Sequence, residues 1–240
     1  MTYREILKNY QHDYKLLGGV LADHYARFLS PFFTMAALKL RMIPNAVTCA
    51  MICAGCIGAA LFCVPDIVSK IAGIVFIHVW YILDLSDGEV ARITGRYSPY
   101  GTDIDYYAHV INHPLFVFAF GHTLFQYGYD LGIVAVSAYF YVSAELVNRH
   151  NLALLLSHKE SGREYGVKTT PVSVIKFFLA SLCTFPNIAL TLPVLMLVSS
   201  RAGFYAFVAL SGLNVLFVAF RILKRIVFIV PSKADAKSFN

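Results

Sequence analysis

The chain has 240 residues, 58% of them hydrophobic and only 14% charged, with a net charge of +6 and a mean hydropathy of +0.63. A soluble domain carries about 25% charged and about 45–50% apolar residues, so this balance excludes an ordinary water-soluble fold. It points to one polytopic domain built of helices, because an open sheet leaves its backbone unsatisfied in lipid.

In chain order, residues 1–19 are polar and aromatic, and they lack the apolar run of a cleavable signal peptide. Residues 20–41 mix apolar side chains with Asp23, Arg27, Lys39 and Arg41, a pattern too interrupted to span. They read as an amphipathic helix lying on the membrane surface, bent at Pro31. Six apolar blocks follow, at about 46–65, 71–91, 102–127, 131–156, 171–198 and 203–224, each near the roughly 20 residues a transmembrane helix needs. Gly128–Asp130 make a tight external hairpin between the third and fourth spans. Residues 158–171 form the longest internal loop, and Pro186 should kink or break the fifth span. The expected fold is therefore all-α: a cytoplasmic segment at 1–45, a six-helix transmembrane domain at 46–228 and a tail at 229–240.

With both termini cytoplasmic, all 20 Lys and Arg except Lys70 and Arg201 fall on the inner side or at its boundary, as the positive-inside rule requires. The basic charge is then accounted for by topology and anionic lipid, and no nucleic-acid partner is implied. A bacterial inner membrane is the favoured location. Cys53 and Cys56 have CxxC spacing but lie in an apolar span with no partner pair, which suits small-residue packing better than metal binding.

Against this background the segment from Asp84 to His109 stands out. Asp84 and Asp87 are three apart at the inner end of the second span, while Asp105 and His109 are four apart at the inner end of the third. Each spacing puts its pair on one helix face, so two adjacent antiparallel helices can converge several ligands on one point. Ionisable groups at membrane depth cost about 2.5–3.5 kcal/mol each, and a divalent cation such as Mg²⁺ or Mn²⁺ compensates them. Gly88 and Gly101 allow close backbone approach, and Arg92 offers a phosphate-binding fork. Salt bridges from Arg92 and Arg96 alone leave part of the acidic cluster and the glycines unexplained. Asp103 would point roughly 200° from Asp105 on a helix.

The run Asp84-x2-Asp87-Gly88-x2-Ala91-Arg92-x8-Gly101-x3-Asp105-x3-His109 resembles the signature of the CDP-alcohol phosphotransferases, D-x2-D-G-x2-A-R-x8-G-x3-D-x3-D, departing from it only at the last position. The Pro44-Asn45-x2-Thr48 start of the first span shares the likeness. The resemblance implies transfer of a substituted phosphate from a CDP-linked donor to an alcohol with release of CMP, in phospholipid biosynthesis, and a homodimeric membrane enzyme. It implies that Asp84, Asp87 and Asp105 hold the metal, and that Asp87, Gly88, Ala91, Arg92 and Gly101 line the CMP moiety with Asn45 and Thr48. CDP-diacylglycerol is the expected donor and a small polar alcohol the expected acceptor. A CDP-choline or CDP-ethanolamine enzyme acting on a lipid alcohol is the alternative within the class.

His109 stands where the signature has an aspartate that helps bind metal and deprotonates the acceptor. It reads as the base, as a nitrogen ligand to a metal softer than Mg²⁺, or as the mark of a silent site that binds CDP without turnover. Glu145, Asn148 and Arg149 share one face of the fourth span, and the spacing fits two readings: a Glu145–Arg149 ion pair that neutralises itself, or a face on which Asn148 and Arg149, with Lys168 and Arg163 from the next loop and His113 one turn beyond His109, are candidates to hold the acceptor. His78 reads as a packed histidine, and His122 lies too far toward the outer end. A metal-ion transporter is the rival from another class, but neither paired halves nor matched broken helices are visible.

Overall fold

The computed structural model describes residues 1–11, 20–160 and 184–227. Among these the regular elements are helices: α1 (Tyr3–Asn9), α2 (Val20–Lys39), α3 (Pro44–Cys63), α4 (Ile67–Thr94), α5 (Gly101–Gln126), α6 (Leu131–Glu160), α7 (Phe185–Val198) and α8 (Ser200–Val227). Lys168, Arg163, residues 171–183 of the fifth expected span and the tail at 229–240 lie outside the described residues.

Local chemistry sets the helix ends. Pro44 occupies the first turn of α3, where its missing N–H costs nothing. Asp66 caps α4, its Oδ1 accepting from the backbone of Val68 and Ser69 at 2.9 and 3.1 Å. Gly95, at φ 64°, ends α4 in a left-handed conformation that favours glycine. Pro186 sits in the first turn of α7, where its missing N–H costs nothing. Pro114 lies inside α5 without ending it, and α2 continues through Pro31.

Among the described residues, four helices are long and apolar enough to cross a membrane: Pro44–Cys63, Ile67–Thr94, Leu131–Asn151 and Ser200–Leu223. α5 has the length, at 26 residues, but carries Asp103, Asp105, His109, Asn112 and His113. α7 has 14 residues and begins after its extended N-cap, Thr184.

α3 packs chiefly on α4 and α5, α2 lies along α4, and α6 bridges α5 and α8. The core between them is aromatic, with Phe62, Trp80, Phe116, Phe120, Tyr141 and Phe207 all buried. α3 and α4 approach so closely that a Cβ on Gly73 would stand 2.7 Å from the Phe62 nitrogen and 2.8 Å from the Gly58 carbonyl. At the end of α4 remote from Asp84, buried Lys70 donates to the Phe62 carbonyl, Thr123 Oγ1 and Gln126 Oε1 at 2.9–3.2 Å. These bonds tie α3, α4 and α5 together and satisfy a charge that burial would otherwise penalise.

A second buried charge fastens the N-terminal helices. Glu89, 1% exposed on α4, accepts from Ser30 Oγ at 2.6 Å, Thr34 Oγ1 at 2.6 Å and Gln11 Nε2 at 3.1 Å. Replacing it with leucine takes the acceptor from the buried Thr34 hydroxyl and leaves the buried Ser30 hydroxyl only a long 3.5 Å contact with the Arg27 carbonyl to donate to. A buried group left unsatisfied costs about 1–3 kcal/mol, so Glu89→Leu should loosen α2 from α4. Limited proteolysis between residues 20 and 41 should then proceed much faster than in the wild-type protein, and equal rates would show that the clamp contributes little.

Candidate active site

α4 ends and α5 begins at the same end of the bundle, joined by the short connection at 95–100. From α4 come Asp84, Asp87, Gly88, Ala91 and Arg92; from α5 come Gly101, Asp105, His109 and His113. His109 Nε2 lies 3.1 Å from Asp84 Oδ1 and 3.4 Å from Asp105 Oδ1. One ligand atom from each of the three falls within 4.8 Å of the others. The histidine side chain is 4% exposed, Asp84 18% and Asp105 46%, so the cluster opens toward solvent on the Asp105 side.

Two carboxylates and an imidazole meeting at one edge call for a positive charge between them. The donor set fits a divalent cation: oxygen ligands suit Mg²⁺ or Mn²⁺, and the nitrogen favours the softer of the two. Asp87 is not one of the converging three; its Oδ2 accepts from Thr48 Oγ1 of α3 at 2.7 Å. Two residues expected at the CMP moiety are thus bonded to each other across α3 and α4. Asn45 lines a cleft of about 170 Å³ with Ile43, Pro44, Arg96, Tyr97 and Ser98.

Arg92 Nε donates to the Tyr10 carbonyl, so the residues after α1 close over this helix end. Its guanidinium also lies against Gly88, where a Cβ would stand 3.0 Å from Nη1. Glycine there leaves the arginine free to lie along the helix. Gly101 has no such neighbour, Ser98 Cβ being an ordinary 3.8 Å away, and Ala91 is partly buried on α4. Asp103 is exposed in the first turn of α5 and is not part of the converging cluster.

Behind His109 runs a buried polar chain. His109 Nδ1 is 3.1 Å from His113 Nε2, and His113 Nδ1 is 2.9 Å from Glu145 Oε1 on α6. Arg149 completes it, its Nε 3.7 Å from Glu145 Oε1 and its Nη2 3.5 Å from His113 Nε2. His113 is 1% exposed; the Phe185 ring stacks on it at 3.7 Å between centroids, and the Trp80 ring meets it edge-on at 5.6 Å. The ion pair expected between Glu145 and Arg149 is therefore present, and Glu145 also reaches His113. Asn148 points elsewhere, accepting from Arg221 Nη1 of α8 at 2.7 Å. His78 is a packed histidine, its Nδ1–H donating to the Ile74 carbonyl at 2.9 Å.

Sequence reading missed Trp80, which touches both histidine rings, and Phe185. Trp80 lies four residues before Asp84, one turn along the same helix face, and that spacing could have flagged it. Phe185 comes from a distant helix, and no local pattern pairs it with His113.

A comparison with curated proteins finds no match. Residues 41–199, more than half of the chain, match the sequence model for CDP-alcohol phosphatidyltransferase, and the matched stretch contains the Asp84–His109 cluster and the Thr48–Asp87 contact. The chain belongs to the CDP-alcohol phosphatidyltransferase family, membrane transferases that use divalent metals and pass a substituted phosphate from a CDP-alcohol to an acceptor.

Proposed function

We propose that this protein moves the phosphatidyl group of CDP-diacylglycerol to a small polar alcohol, releasing CMP, at the cytoplasmic edge of a six-span membrane domain. The convergence of Asp84 Oδ1, Asp105 Oδ1 and His109 Nε2 from two helices carries this reading. Asp84, Asp105 and His109 would hold a divalent cation, with Mn²⁺ preferred over Mg²⁺ because one ligand is nitrogen. The bound cation supplies charge neutralisation at the donor pyrophosphate, the largest part of the benefit in such transfers. Asp87, held by Thr48, would join Gly88, Ala91, Arg92, Gly101 and Asn45 around the CMP moiety.

Asp105, half exposed at the open side of the cluster, is the group best placed to take the acceptor's proton. Its neighbour His109 is enclosed, with the cluster on one side and His113 on the other, which favours holding over shuttling. Arg149 and Lys168 would bind an anionic or phosphorylated acceptor, whereas His113 is too enclosed to meet it. The positive-inside charge pattern supports cytoplasmic termini. The family likeness supports a homodimer, and a bacterial inner membrane suits the chain's basic inner face.

The test is CMP release by the full chain in lipid with Mn²⁺ or Mg²⁺. CDP-diacylglycerol with one of a panel of small alcohols should yield CMP, and CDP-choline or CDP-ethanolamine with diacylglycerol should not. Release in the second arm alone would reverse the assignment of which substrate is the lipid, and tight CDP binding with no release in either arm would mark a silent site.

A further inference from the structure

We infer that His113 and Glu145 are positioning residues that hold His109 in one tautomer, with its proton on Nδ1 and the Nε2 lone pair turned toward Asp84 and Asp105. The inference rests on reading that cluster as the phosphotransfer centre, and it comes from donor–acceptor accounting along the buried chain.

The accounting starts at Arg149. A guanidinium has five N–H donors and no acceptor. Its Nη2 approaches His113 Nε2 at 3.5 Å, so that nitrogen is the accepting one. Glu145 makes the same demand from the other end, because a carboxylate only accepts and its Oε1 lies 2.9 Å from His113 Nδ1. His113 therefore carries its proton on Nδ1. The 3.1 Å contact between His113 Nε2 and His109 Nδ1 then needs a proton, and His109 Nδ1 must supply it. Its other nitrogen, Nε2, is thereby the one that faces the carboxylate oxygens at 3.1 and 3.4 Å, and it offers them a lone pair to share once a cation rather than a proton lies between them.

Among the described residues, aromatic rings enclose the pair. His113 is enclosed by the stacked Phe185 ring and the edge of Trp80, and Trp80 also meets His109 at 5.7 Å. Outer partners of this kind orient a ligating histidine and raise its basicity, and their loss typically costs 10–100-fold in metal affinity. A proton on Nε2 would instead satisfy the two carboxylates and close the site to a cation.

The experiment uses the full chain in lipid nanodiscs with ¹⁵N-labelled histidine rings, loaded with Mg²⁺, and His109→Ala to assign the signals. Two-bond ¹H–¹⁵N correlation should show His109 protonated on Nδ1 and bare on Nε2. In His113→Phe, which keeps an aromatic ring against Phe185 but removes both nitrogens, Nδ1 loses its acceptor. Mn²⁺ binding, read from the EPR signal of the free ion, should weaken by about 10- to 100-fold. His113→Gln, whose amide oxygen can accept from His109 Nδ1–H, should recover most of that affinity, and Glu145→Gln should lose part of it. A proton on wild-type His109 Nε2, or a His113→Phe protein with unchanged tautomer and unchanged Mn²⁺ affinity, overturns the inference. CMP release separates the two claims. A bare Nε2 in a protein that releases no CMP keeps the positioning role and removes the transferase reading; CMP release with a protonated Nε2 does the reverse.

Discussion

His109→Asp should exchange the metal preference of CMP release, favouring Mg²⁺ where the wild-type protein favours Mn²⁺. The reason is the ligand set. Two carboxylates and an imidazole present mixed oxygen and nitrogen donors, and nitrogen suits Mn²⁺ better than the hard, strongly hydrated Mg²⁺. An aspartate at this position restores an all-oxygen set. It also breaks the link to His113, 3.1 Å from His109 Nδ1, so the exchange should come with a lower maximal rate. His109→Ala removes the ligand outright, and its loss should exceed the 10–100-fold typical of outer-shell partners. The check is a titration of CMP release with each metal for all three proteins. Equal Mn²⁺ and Mg²⁺ dependence in wild type and His109→Asp would remove His109 from the metal and return it to the role of base.

Much of this site was legible because it is local. Asp84, Asp105 and His109 lie on two consecutive helices joined by a short connection, and i, i+3 and i, i+4 spacing settles which helix faces can meet. The same reasoning placed Asp87 with Asp84, yet the structure bonds Asp87 to Thr48 instead. Three residues are 300° of helical turn, which leaves about 60° between the two side chains. That angle is enough to aim one at α5 and the other at α3. The buried chain to Glu145 was only half visible, because Glu145 and Arg149 declare themselves by spacing while the contact with His113 depends on how α5 and α6 pack. Glu89 was invisible for a similar reason. It stands between two motif residues as an unremarkable acid, and its partners Ser30, Thr34 and Gln11 are more than fifty residues away. The N-terminal helix at Val20–Lys39 was expected from its pattern, whereas its attachment to α4 through a buried carboxylate was not.

Gly73→Ala should destabilise the protein, although alanine is the better helix former by about 1 kcal/mol. The sign turns on one distance. A Cβ at Gly73 would stand 2.7 Å from the Phe62 nitrogen and 2.8 Å from the Gly58 carbonyl, and these are backbone atoms that cannot swing aside. Relief requires α3 and α4 to move apart, and overpacking of this kind costs about 1–3 kcal/mol. Gly212→Ala, on α8 with nothing within 4 Å of its new methyl, provides the control and should be neutral or stabilising. The effect should also reach the site. The Thr48–Asp87 bond crosses the same pair of helices, so a wider spacing between them stretches a 2.7 Å contact at the proposed nucleotide end. The expected result is a lower unfolding temperature and weaker CDP binding for Gly73→Ala, with both unchanged or improved for Gly212→Ala. Trp80, the one tryptophan in the chain, is buried against both histidines and reports the unfolding by its fluorescence. A Gly73→Ala protein as stable as wild type would mean that α3 and α4 can separate without penalty, and that their close approach does not set the geometry of the site.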